Sequence, residues 1–285
     1  MPTLDYFRKE RLPHIWCPGC GHGAITGALV RAIEKLRIDK NKVVIVSGIG
    51  CSSRAVGYLD FDTLHTAHGR ALAYATGIKL SRPELHVIVM TGDGDCTAIG
   101  GNHFIHAARR NIGITTIIMN NEIYGMTSGQ YSPMTPKGML GTTAPYGNLE
   151  RPFDLCKLAI ASGATYVARG TAYHVPLTID IIEKALLNPG FSVVEAISGC
   201  PTYFGRKNKI GGPVEMLDWI KDQTLNVKAA AVLPPEKVAG KVLIGELYSA
   251  PEAEYAAGYM ELIGRVQRRY DDYIGEVREC ASNSD

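Results

Sequence analysis

Apolar residues along this chain recur at two periods, and their alternation predicts repeated strand–helix units. Ile25, Leu29, Ile33 and Leu36 follow one another at the spacing of one helix face, and the β-branched run Val43–Val46 comes next. Helical pattern resumes over Arg70 to Leu80 and feeds a second run, His86–Met90. Ile99 to Arg110 has room for a helix of about three turns before the run Ile114–Met119. The pattern then lapses, since residues 124–152 hold five glycines and four prolines, and loops that long inside a compact domain are usually functional. It returns at Phe153–Ser162, Tyr166–Ala168, Val175–Leu187 and Phe191–Ile197, and Pro213 opens one more helix carrying Val214, Leu217 and Ile220. Repeated units of this kind imply an α/β fold, a mostly parallel, doubly wound sheet covered on both faces.

Residues 227–285 differ. Ala229 to Pro235 reads as a linker, and the chain stays polar until a helix near Glu252 to Arg269 with Tyr255, Tyr259, Leu262 and Val266 on one face. The expected division is an α/β domain over 1–226, then a linker and C-terminal arm over 227–285, packing on its own domain or on a partner subunit.

Composition narrows the classes. Thirty Lys and Arg against 28 Asp and Glu, a net charge of +2, carry no footprint of nucleic-acid or membrane-surface binding. No apolar run reaches transmembrane length. Met1 to Arg11 is charged and lacks the apolar core of a signal peptide. Seven cysteines without an export signal argue against a disulfide framework, so the expected compartment is the cytoplasm.

The chemistry concentrates where strands end. Thr91-Gly92-Asp93-Gly94-Asp95 directly follows one apolar run, and Asn120-Asn121 directly follows the next. An aspartate, an asparagine and a free carbonyl are hard oxygen donors that suit Mg²⁺, which shares its octahedron with phosphate oxygens. Gly92 and Gly94 let the backbone approach a diphosphate. This segment resembles the diphosphate-binding motif of thiamine-diphosphate enzymes. A dinucleotide fingerprint needs a third glycine where Thr97 stands.

Cys17 and Cys20 share the tight turn Trp-Cys-Pro-Gly-Cys-Gly, while Cys51 and Cys200 each follow a strand. In a parallel sheet the loops after strand ends gather along one edge, which brings the diphosphate motif together with Cys51 and Cys200. Four thiolates hold zinc or a 4Fe-4S cluster. Cys96, Cys156 and Cys280 read as isolated buried cysteines. His103 and His106, three apart on a helix, have a spacing that can share a metal and are read as packing or interface residues.

Trp16-Cys-Pro-Gly-Cys-Gly-His-Gly23, Gly48-Ile-Gly-Cys-Ser-Ser53, His68-Gly-Arg-Ala71, Gly92-Asp-Gly-Asp95, the 99–111 segment and Asn120-Asn-Glu-Ile-Tyr-Gly-Met126 resemble the β subunit of 2-oxoacid:ferredoxin oxidoreductases. With Ser132-Pro133 the motifs cover most of residues 14–212, in the family's order. The resemblance implies thiamine diphosphate, Mg²⁺ and one 4Fe-4S cluster, with the pyrimidine-binding domain on a separate α subunit. It assigns Mg²⁺ to Asp93, Asn121 and the Ile123 carbonyl, and the cluster to Cys17, Cys20, Cys51 and Cys200. Ile49, Gly50, Cys51, Ser52, Gly92, Gly94, Asp95, Gly125 and Met126 would line the cofactor. His22, His68 and Arg70 would face the diphosphate, the histidines having a structural hydrogen-bonding role as the alternative. Coenzyme A and a 2-oxoacid are the implied substrates and ferredoxin the electron partner, docking by hypothesis on Arg206, Lys207 and Lys209. Ile99-Gly-Gly-Asn-His, Asn120 to Thr127 and Cys200 to Asn208 look most like the members that use 2-oxoglutarate. Pyruvate or branched-chain 2-oxoacids, a non-redox thiamine-diphosphate decarboxylase and a zinc-stabilised non-catalytic subunit are the rival readings.

Overall fold

A computed structural model describes residues 3–282. In chain order, α1 (His22–Lys35) precedes β1 (Val43–Ser47), α2 (Ala55–Tyr58), β2 (Asp62–His65), α3 (Ala71–Ser81) and β3 (His86–Gly92). α4 (Gly101–Arg109), β4 (Ile114–Asn120), the short strands β5 (Ile123–Tyr124) and β6 (Gln130–Tyr131), α5 (Leu155–Ala161) and β7 (Tyr166–Thr171) follow. The chain continues through α6 (Val175–Leu187), β8 (Ser192–Ile197), α7 (Pro213–Gln223), β9 (Thr224–Asn226), α8 (Val227–Ala230), α9 (Pro235–Val238), β10 (Val242–Ser249) and α10 (Tyr255–Ser282).

Eight strands form one sheet in the order β2-β1-β3-β4-β8-β7-β10-β9. Neighbours from β2 to β7 run parallel, and β10 joins β7 antiparallel, pairing Gly245 with Arg169 and Ser249 with Tyr166. The central strands are buried along nearly their whole length, and mostly apolar, because both faces are covered. Ile88 and Met90 of β3 face a core shared with Ile25, Leu29 and Ile33 of α1 and Ile181 and Ile182 of α6. Val87 and Val89 face a second core holding Leu72 and Ala75 of α3, Phe104 of α4 and Leu155 of α5. From β1 the chain moves outward to β2, and from β3 it moves the other way to β4, so the gap between β1 and β3 is a topological switch point, where ligands bind beyond the strand ends.

The expected helix from Ile99 is shorter than anticipated, because a wide π turn over Asp95–Ile99 precedes α4. Residues 242–249, within the stretch expected to be polar linker, form β10 and extend the sheet. The final helix runs to Ser282, beyond the expected Arg269. Among the described residues no helix is long and apolar enough to cross a membrane.

Candidate active site

Strand ends set the site. β1, β3 and β4 deliver Gly48–Ser52, Asp93–Asp95 and Asn121–Ile123 to one edge of the sheet, where His22, Ile49, Gly50, Cys51, Ser52 and His68 wall a cleft. Gly92, Gly94, Gly125 and Met126 line the same cleft. Asp93 is 2% exposed, and burial pushes its carboxyl up to about 7 against the pull of the Ser132 hydroxyl. Ser132 Oγ donates to Asp93 Oδ2 at 2.5 Å, which leaves Oδ1 turned inward.

Around Asp93 Oδ1 the oxygens crowd. The Asn121 side-chain amide faces two of them, its nitrogen donating to the Ile123 carbonyl oxygen at 2.7 Å and to Asp93 Oδ1 at 3.1 Å. Ligands at 2.0–2.1 Å from Mg²⁺ place neighbouring octahedral corners about 2.9 Å apart, so the spacing of these three groups fits that ion, with Asn121 presenting its amide oxygen in place of its nitrogen. Two further polar atoms of the cleft wall, His22 Nδ1 and Ser52 Oγ, are buried without a hydrogen-bond partner. Burial also pushes the His22 imidazole down to about 4, so a neutral ring waits for a donor or acceptor from a ligand.

Asp95 lines the cleft as expected, and its carboxylate also ties the surrounding loops together. Its Oδ1 accepts from His68 Nδ1 at 2.5 Å and Gly69 N at 2.7 Å, and its Oδ2 accepts from Thr91 Oγ1 at 2.7 Å. The Ile49 amide also donates to Oδ1, at 3.3 Å. One carboxylate therefore ties the loops after β1 and β2 to the end of β3. Gly48 is required by that arrangement, because a β-carbon there would sit 2.0 Å from Asp95 Oδ2. His68 is held with Nδ1 toward Asp95, which leaves Nε2 as the free ring nitrogen. Arg70 is exposed, does not line the cleft, and places Nη1 2.5 Å from His103 Nε2. His106 Nδ1 accepts from Arg109, so the two histidines have arginine partners rather than a shared ion.

The long loop after β5 braces the oxygen cluster from below. Besides Ser132 on Asp93, Thr135 Oγ1 donates to the Glu122 carbonyl, and Asn148 Nδ2 donates to the Thr135 carbonyl at 2.7 Å. Glu122, between Asn121 and Ile123, has φ at 60°, a left-handed conformation a non-glycine residue rarely adopts. Neither Thr135 nor Asn148 carried a sequence signal, since each acts across the loop and not within a motif.

All four expected cysteines gather beside this cleft. A β-carbon built on Gly125 would lie 3.5 Å from the Sγ atoms of both Cys51 and Cys200. Burial first, then the charges of Cys200 and Cys17, push the Cys51 thiol up to about 11. Cys20 is pushed up to about 12, mainly by burial and further by Cys17, Cys51 and Cys200, while the His22 backbone amide opposes the shift. Trp16 locks the turn to the cleft wall by donating Nε1 to the Cys51 carbonyl at 2.7 Å. Gly21, at φ 82°, lets the chain pass 2.4 Å from Ala172 Cβ at the point where a side chain would begin. Cys17 alone of the four is exposed, at the mouth of a groove lined by Thr202, Arg206 and Lys209. Among the described residues no three His, Cys, Asp or Glu side chains converge tightly enough for a single ion. Cys96 and Cys156 are buried apart from the site, and the Cys280 side chain lies outside the described residues.

Comparison with known proteins accords with this geometry. Residues 48–196 match the thiamine pyrophosphate enzyme C-terminal TPP-binding domain. That match begins just after β1, ends within β8 and leaves Cys17, Cys20 and Cys200 outside it. The 2-oxoglutarate synthase subunit KorB of Methanothermobacter marburgensis is 54% identical over 253 residues, 89% of each chain. The KorB subunit of Methanocaldococcus jannaschii is 49% identical, covering 93% of this chain and 98% of that one. A solved 2-oxoglutarate:ferredoxin oxidoreductase from Magnetococcus marinus, with 2-oxoglutarate, coenzyme A and succinyl-CoA bound, superposes with a TM-score of 0.83 at 36% identity, covering 94% of this chain and 91% of that one. Fold, cleft and relatives agree: the chain belongs to the thiamine-diphosphate-binding β subunits of the 2-oxoacid:ferredoxin oxidoreductases, among those that resemble KorB.

Proposed function

We propose that this chain is the β subunit of a coenzyme-A-acylating 2-oxoglutarate:ferredoxin oxidoreductase. With an α subunit it converts 2-oxoglutarate and coenzyme A to succinyl-CoA and CO₂ and delivers two electrons to ferredoxin. The observation that carries the reading is the shared wall: the loop after β1 contributes Ile49 to Ser52 to the cleft and Cys51 to the group of four sulfurs.

Thiamine diphosphate, when bound, supplies a nucleophilic carbon and an electron sink for decarboxylation. Asp93, Asn121 and the Ile123 carbonyl would hold its Mg²⁺. Cys17, Cys20, Cys51 and Cys200 would hold a 4Fe-4S cluster, which serves as a one-electron relay. A cluster attaches each thiolate to a different iron, so its ligands stand farther apart than those of one zinc ion. His68 offers Nε2 to a phosphate oxygen, its ring fixed from behind by Asp95. His22 and Ser52 present their unpartnered polar atoms to the same ligand, so binding relieves two buried polar groups. Exposed Arg206, Lys207 and Lys209 stand near the open Cys17 edge and favour an acidic carrier there.

The test is turnover of the complex with its α subunit. 2-Oxoglutarate should exceed pyruvate and branched-chain 2-oxoacids in kcat/KM by at least about tenfold. The variant Arg206→Glu/Lys209→Glu should raise KM for ferredoxin and flatten its salt dependence, while reduction of a small viologen dye is unchanged. Preference for pyruvate would overturn the substrate, and ferredoxin kinetics unaffected by charge reversal would overturn the docking site.

A further inference from the structure

One aromatic ring of the cleft wall, that of Tyr124, has no task in the proposed reaction. Tyr124 lines the cleft between Ile123 and Gly125 and belongs to the two-residue strand β5. It pairs with Gln130 of β6, and the Gly129 amide donates to its carbonyl at 2.9 Å. The backbone of Tyr124 is therefore fixed by its own hairpin. Its side chain crosses to the end of β3, where the hydroxyl donates to the Gly94 carbonyl at 3.1 Å. A β-carbon built on Gly94 would lie 2.3 Å from Cε1 and Cζ of the same ring. The second glycine of Gly92-Asp-Gly94 is thus bare where the Tyr124 ring lies, and its missing side chain makes room for that ring.

The ring so placed meets His68. The two ring centroids are 6.0 Å apart with their planes at 78°, the edge-to-face arrangement that aromatic pairs prefer. The hydrogen bonding of His68 is confined to one ring atom, Nδ1 against Asp95 Oδ1, and its side chain is 34% exposed. A hydrogen bond at one atom fixes where that atom points and leaves the plane of the ring free to turn about it. A second contact, away from that atom, stops the turning. Asp95 and Tyr124 together hold the imidazole at two points, and both are anchored at the end of β3, Asp95 by Thr91 and Tyr124 by Gly94.

We propose that Tyr124 is a positioning residue whose ring fixes the plane of His68, so that Nε2 points at a diphosphate oxygen. That role presupposes thiamine diphosphate in the cleft. The test is a double-mutant cycle on thiamine diphosphate affinity, measured by calorimetry at saturating Mg²⁺ in the intact α–β complex. Tyr124→Leu should weaken binding about three- to tenfold, the worth of one aromatic pair, whereas Tyr124→Phe, which keeps the ring, should stay within about twofold of wild type. In a His68→Ala background Tyr124→Leu should cost nothing further, because the ring then has no imidazole to hold. Tyr124→Met takes its place in the cycle if Tyr124→Leu fails to assemble. Equal losses with and without His68, a Phe variant as weak as the Leu variant, or full affinity in Tyr124→Leu would each overturn the proposal. A wild-type complex that binds no thiamine diphosphate would instead overturn that cofactor as the ligand of the cleft.

Discussion

Ser132 decides which oxygen of Asp93 is free. By occupying Oδ2 it keeps Oδ1 toward Asn121 and Ile123, and a hydrogen bond to an ionised carboxylate contributes about 1.5–3 kcal/mol. Ser132→Ala should therefore weaken the Mg²⁺ dependence of thiamine diphosphate binding by about 10–100-fold. Titrating Mg²⁺ at fixed thiamine diphosphate reads this directly, and an unchanged midpoint would remove Ser132 from the ion's support. Asp93 and Asn121 are legible in the sequence because each directly follows an apolar run that fixes its place on the sheet edge. The role of Asp95 is not, since its four donors come from three segments brought together only by folding. Nor does the chain reveal that Arg70 turns to His103, because the packing of α3 beside α4 sets that side chain's direction.

At the scale of elements, the central strands announce themselves because they are buried on both faces, so β1, β3, β4 and β8 are dominated by β-branched and other apolar residues. β10 hides by contrast: Gly245 and Glu246 interrupt its pattern, several of its side chains are exposed, and its partner β7 lies far back in the chain. Asn111 shows how such distant pieces are joined. At φ 50° it accepts from the Phe191 amide at 2.7 Å and Thr165 Oγ1 at 2.9 Å, while its nitrogen reaches the backbone before α10. Removing it leaves the buried Phe191 amide just before β8 unpaired and takes a partner from Thr165, just before β7, and from the α10 root. Asn111→Ala should cost about 2–3 kcal/mol, lowering Tm by roughly 4–12 °C for a domain of this size. A shift below about 1 °C in a thermal melt would show that the junction is held by other contacts.

Across the whole molecule, topology does the convergence. The β1–β3 switch point puts the Gly48–Ser52 and Asp93–Asp95 loops side by side, and β4 and β8 add Asn121 and Cys200 to the same edge. Cys17 and Cys20 reach that edge from the segment before α1, where the Gly199 amide donates to the Cys20 carbonyl at 3.0 Å. The oxygen groups of Asp93, Asn121 and Ile123 and four sulfurs thus share one wall, and the central claim is that the sulfurs hold an electron relay beside the cofactor. Anaerobic iron and acid-labile sulfide analysis of the purified chain, with EPR after dithionite reduction, tests that claim most directly. About four iron and four sulfide per chain, with a signal that appears on reduction, is the predicted result. Zinc without sulfide would contradict it and leave a thiamine-diphosphate fold with no electron path.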